Sequence, residues 1–164
     1  HGLADSQTAI QCRGGSEDIE IRANLFTGGG PRAVNIGGVT GDSFFRPSLS
    51  TTNPNFEAKD IRVIANIFNG WDTSIAYAGC VECSVTNNTI VEPDEYIARI
   101  LQENQSHGSY TFLACGDSSF INNIVYFDSN TLSDKAGIDA ADLSADYDFS
   151  CYSSPPSIGA FETP

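Results

Sequence analysis

Short runs of alternating apolar and polar residues, punctuated by turn residues, recur along this chain. Asp18-Ile-Glu-Ile-Arg-Ala-Asn24-Leu-Phe26 and Asp60-Ile-Arg-Val-Ile-Ala-Asn66-Ile-Phe68 are near copies of each other. Cys83-Ser-Val-Thr-Asn-Asn88-Thr-Ile90 and Ser119-Phe-Ile-Asn-Asn123-Ile-Val125 repeat the same form. Each is a β-branched run, a tight turn ending in Asn, and a second short run. Period-two alternation of this kind predicts strands with one buried face. Self-similarity at a near-constant interval predicts stacked repeats.

The turn asparagines lie 42, 22 and 35 residues apart. With 22 as the bare repeat, the longer intervals carry insertions at 39–60 and 104–116. The first insertion is polar apart from the pair Phe44-Phe45. A third run follows each Asn by about ten residues: Ala33–Gly38, Ser74–Gly79 and Tyr96–Gln102, with Thr8–Cys12 serving the first repeat. Residues 94–103 also read as a short helix, because Pro93, Asp94 and Glu95 form a helix-start signal; the period favours the strand. Three short strands per repeat, stacked in parallel, make a solenoid of three parallel sheets over 1–126. Asn24, Asn66, Asn88 and Asn123 are expected to stack at one corner, where Asn suits a tight turn. Residues 127–164 read as an irregular C-terminal cap. The chain enters its repeat within ten residues, without a matching N-terminal cap. The expectation is that further coils precede His1, on the same chain or a separate one, to cover the open strand edges.

Composition narrows the partners. A net charge of −13 over 164 residues opposes binding to nucleic acid or an anionic membrane. No stretch reaches the ~20 apolar residues of a membrane-spanning helix. The lack of Met suggests a processed or trimmed chain. Five cysteines (12, 80, 83, 115 and 151) suggest an oxidising compartment, extracellular or periplasmic. Cys80-Val-Glu-Cys83 has the spacing of half a zinc site, but no second pair follows. Cys115 falls one repeat after Cys80 and Cys83, so a bridge to either is expected, with Cys12 in the core. Asp139, Asp142, Asp146 and Asp148 lack the Gly and Glu of a calcium-binding helix-loop-helix and read as an acidic connection.

Alternation also selects an outward column on one sheet. The residue eleven after each turn Asn is Asn35, Tyr77 or Arg99, with Gln11 in the first repeat. Three polar residues and an aromatic, one strand spacing apart, form a platform suited to a row of sugar rings. Both insertions follow this sheet and would wall it.

The D-I-x-V/I-x-x-N-x-F repeats resemble right-handed parallel β-helix proteins of the pectate-lyase-like superfamily. Arg32–Pro47 and Arg99-Ile-Leu-Gln-Glu103 are similar to segments of secreted bacterial β-helix repeat proteins, and Ser154-Pro-Pro-Ser-Ile-Gly-Ala-Phe161 to their usual ending. The fold expected is therefore all-β: a right-handed parallel β-helix with long loop insertions and a C-terminal cap. The resemblance implies an extracellular polysaccharide-active protein, in one form a lyase on an acidic glycan, with calcium as a candidate cofactor. The alternative is a non-catalytic carbohydrate-binding, adhesin or structural surface module. On the first reading Arg99 is base or carboxylate clamp and His107 an acid or base. Gln11, Asn35, Tyr77 and Arg46 would hold substrate, and Asp42, Glu57, Asp60 and Glu103 are candidate calcium ligands.

Overall fold

The computed structural model describes residues 8–126 and 138–139. It is all-β, with one short 3-10 turn at Asp42–Phe44. The chain makes four successive passes. The first contains β1 (Thr8–Cys12), β2 (Ser16–Arg22) and β3 (Leu25–Thr27). The second contains β4 (Arg32–Gly37), β5 (Ala58–Ile64) and β6 (Ile67–Asn69). The third contains β7 (Thr73–Ala78), β8 (Cys80–Val81), β9 (Ser84–Thr86) and β10 (Thr89–Val91). The fourth contains β11 (Tyr96–Leu101), β12 (Ser119–Ile121) and β13 (Ile124–Tyr126), and β14 (Ile138–Asp139) follows. Residues 96–101 are thus strand, not helix.

Like strands from successive passes pair in parallel, giving three parallel sheets among the described residues. The first sheet runs β1-β4-β7-β11-β14, the second β2-β5-β9-β12 and the third β3-β6-β10-β13. Stacking like on like aligns the apolar positions: Ile21, Val63, Val85 and Phe120 in the second sheet, and Phe26, Phe68, Ile90 and Val125 in the third. Phe26 and Phe68 stack face to face with ring centroids 4.8 Å apart. No helix among the described residues is long and apolar enough to cross a membrane.

The corner between the second and third sheets explains the repeated Asn. Ala23, Ala65, Asn87 and Asn122 are left-handed, with φ of 55–56°, so the strained residue is the one before each ladder Asn. The chain bends there, and the next backbone N–H loses its strand partner. A side chain supplies the replacement. Asn66 Oδ1 accepts from Asn24 N, Asn88 Oδ1 from Asn66 N, and Asn123 Oδ1 from Asn88 N, each at 2.9 Å. The amide nitrogens reach back to backbone carbonyls of the preceding pass: Asn66 to Ile21, Asn88 to Val63 and Asn123 to Val85. A second left-handed column, Asp18, Asp60, Glu82 and Asp117, bends the second sheet itself.

The insertions interrupt the second pass between β4 and β5 and the fourth between β11 and β12. The first ends earlier than the sequence suggested, because residues 58–60 already belong to β5. The closing segment, with Cys151 and the acidic cluster's side chains, lies outside the described residues.

Candidate functional site

The first sheet carries the column expected from alternation, with one replacement. Gln11 pairs with Asn35, Asn35 with Ala76, and Ala76 with Arg99. Tyr77 instead aligns with Ile36 and Ile100, packs in the core at 4% exposure, and donates its hydroxyl to Ser119 O at 2.8 Å. The cause is a connection between β6 and β7 that is one residue shorter than the one between β3 and β4. The equivalent residue stands ten rather than eleven after its Asn, and a one-residue slip turns a side chain to the opposite face.

Nor is this column an open platform. Asn35 is 2% exposed, its Nδ2 donating to Gly37 O. Its Oδ1 accepts from Arg32 Nη1 at 2.9 Å, and Arg32 Nη2 meets Glu103 Oε1 at 2.7 Å. Ala76 is buried, and the Arg99 guanidinium lies over the Tyr96 ring, 4.8 Å from its centroid. Gln11 remains exposed.

The two insertions interlock at the end of this sheet. Asn55 N donates to Thr111 O at 2.7 Å and Leu113 N returns a bond to Asn55 O at 2.8 Å. Phe45, fully buried, meets Phe112 edge-on. Beneath them sits Glu57. Its Oε1 accepts from Thr40 N (2.8 Å) and Asn104 Nδ2 (2.7 Å); its Oε2 accepts from Gly14 N (2.8 Å) and Thr40 Oγ1 (2.7 Å). One carboxylate therefore ties the first pass to both insertions.

Above them lies His107, stacked on Phe112. Its Nε2 is 3.1 Å from Asp42 Oδ1 and its Nδ1 is 2.8 Å from Gln105 O. Both ring nitrogens face acceptors, which favours the doubly protonated ring. The Gln105 carbonyl first, and Asp42 second, raise the imidazole pKa above its usual value. A raised histidine pKa contributes stability that is complete below the unfolded value of about 6.5 and is lost as pH rises through the folded one. An NMR titration should place the His107 midpoint above that of a free histidine. Asp42→Asn should lower it only in part, because the Gln105 carbonyl is the larger cause. A return to the free-histidine value in that variant would reverse the assignment. With both nitrogens so engaged, neither is open to take a substrate proton.

The four candidate calcium ligands are dispersed. Asp42 meets His107, Glu57 meets its four donors, Asp60 pairs with Arg62 (2.9 Å) and Glu103 with Arg32. Among the described residues, no three or more His, Cys, Asp or Glu are grouped to hold a metal ion. Arg46 turns back on its own loop, donating to the carbonyls of Ser43 (3.0 Å) and Phe45 (2.6 Å).

What the insertions present outward is a different set. Phe44 is 74% exposed, and Val39 in the same insertion is also exposed. Arg13 donates to Val39 O at 3.1 Å. Gly38 holds φ 138°, a conformation that favours glycine, and Gln11 Nε2, Asn35 Nδ2 and Arg13 Cδ lie 2.9, 3.4 and 3.7 Å from where its Cβ would stand. The pair Phe44-Phe45 was the sequence signal: one ring anchors the loop and the next stands free. Arg13 carried no signal beyond following a strand before Gly14-Gly15. Comparison with protein-family models, with curated proteins and with solved structures returns no match to this chain.

Proposed function

We propose that this chain is a right-handed parallel β-helix that works outside the cytoplasm as a carbohydrate-binding surface module, without cleaving its ligand. The observation that carries this reading is the exposed Phe44 ring on the first insertion, at whose start Arg13 donates to Val39 O and Gln11 packs against Gly38. An aromatic face with adjacent donors suits a sugar ring, which offers C–H groups on its faces and hydroxyls at its edge. Because both insertions are tied by Glu57, the ring is pre-positioned, which lowers the entropic cost of binding. The second reading is elimination on an acidic glycan. The Asp42–His107 pair favours it, provided that substrate displaces the Gln105 carbonyl from Nδ1.

A panel of neutral and uronate polysaccharides, with and without calcium, separates the two. Binding to at least one glycan should weaken about tenfold in Phe44→Ala with unchanged Tm, as loss of one stacking contact predicts. The ultraviolet absorbance of an unsaturated uronate should not grow. Its growth, abolished by His107→Ala, would establish the lyase. Absence of binding to every glycan would leave the module a purely structural one.

A further inference from the structure

We propose that Cys80 and Cys115 form a disulfide when this chain folds in an oxidising medium, fastening the second insertion to the third pass. The four described cysteines are buried thiols in this structure. Val81 bridges Gly116 in parallel, with Gly116 N donating to Cys80 O at 3.0 Å and Glu82 N to Gly116 O at 3.1 Å. Cys80 and Cys115 are therefore neighbours on adjoining parallel segments, about 4.8 Å apart, inside the Cα range of about 4.4–6.8 Å that a disulfide spans. Their thiols touch, and Cys80 also touches Cys83. Cys83 is the poorer partner. Its Sγ lies 3.4 Å from Val81 O on its own segment, and the left-handed Glu82 (φ 57°) separates it from Cys80.

The oxidant is a small-molecule disulfide such as oxidised glutathione. One protein thiolate attacks it and expels a glutathione thiolate. The second protein thiolate then attacks the mixed disulfide at the protein sulfur and expels the other. Two protein thiols lose two electrons and two protons, and one glutathione disulfide becomes two thiols. Burial, followed by contact with Cys115 and Cys83, pushes the Cys80 thiol well above its usual pKa, so it is inert once folded. The bond forms during folding.

The full chain is refolded in a glutathione redox buffer, alkylated, and cleaved without reduction by Glu-specific protease and trypsin. Cleavage after Glu82 separates Cys80 from Cys83, and cleavage after Lys135 separates Cys115 from Cys151. The expected product joins peptide 63–82 to peptide 104–135, with Cys12 and Cys83 alkylated. Dithiothreitol should lower Tm by roughly 5–10 °C, since the bridge closes a long loop. Cys83→Ser should keep the bridge, and the wild-type map stands even if that variant fails to fold. A Cys80–Cys83 link, a link of either residue to Cys151, full alkylation of Cys80 and Cys115, or a Tm indifferent to reductant would each overturn the proposal.

Discussion

Asn88→Ala is expected to destabilise the protein by about 3–5 kcal/mol, whereas Asn24→Ala costs about 1 kcal/mol or less. The two residues occupy equivalent places in the ladder, so the contrast isolates burial. Asn88 is fully buried, and its Nδ2 donates to Val63 O (2.9 Å), Thr86 O (3.1 Å) and Asn123 Oδ1 (2.9 Å). Its Oδ1 accepts from both the backbone and the side chain of Asn66. Truncation strands the Asn66 N–H and the Val63 carbonyl away from water, and each such orphan costs about 1–3 kcal/mol. Asn24 is exposed and donates only to Arg22 O and Asn66 Oδ1, both of which keep other routes to a partner. At about 2–4 °C per kcal/mol for a chain of this size, the Asn88 variant should melt roughly 10 °C lower. Asn88→Asp should be worse still. It retains the acceptor for Asn66 N but turns an oxygen toward three carbonyl oxygens. Urea unfolding of the three variants decides the matter. Equal losses for Asn24→Ala and Asn88→Ala would mean that the ladder stabilises by local turn geometry and not by satisfying buried groups.

The ladder was legible because a stacked repeat writes the same requirement into every pass. Phe26 over Phe68 and Asn66 over Asn88 are visible as spacing before they are visible as contacts. The left-handed residues were less legible. Ala23 and Ala65 are poor turn formers by propensity, and they hold φ of 56° and 55° only because stacking and ladder bonds over-determine the corner. Register was lost at one link. Gly28-Gly29-Gly30-Pro31 and Gly70-Trp71-Asp72 differ by one residue, and nothing in their composition says which position is missing. That single residue moved Tyr77 from the outer face into the core. The site suffered more than the fold because its contacts are not periodic. The partners of Glu57 lie 17, 43 and 47 residues away, and no local pattern foretells that Asn53-Pro-Asn-Phe-Glu57 sends its acid inward.

Glu57→Ala is the second large effect expected, about 4–5 kcal/mol, near the upper limit for a single substitution. At 1% exposure the side chain leaves no room for water to replace it without rearrangement. Truncation would leave the amides of Gly14 and Thr40 and the Asn104 side chain without an acceptor. Glu57→Gln tests whether shape alone suffices. One oxygen becomes a donor. On the Oε2 side, Thr40 Oγ1 can rotate to accept from it, but the Gly14 N–H cannot. The Gln variant should therefore lose about 2 kcal/mol, roughly half the Ala effect. Hydrogen exchange gives a readout that stability alone does not. In both variants the Gly14, Thr40 and Asn55 amides should exchange faster at pH and temperature where the Asn66 and Asn88 amides stay protected. These ladder bonds belong to a different corner and share no partner with Glu57. Uniform loss of protection would instead show that the insertions and the stacked passes unfold as one unit, with Glu57 as much a part of the core as Phe68.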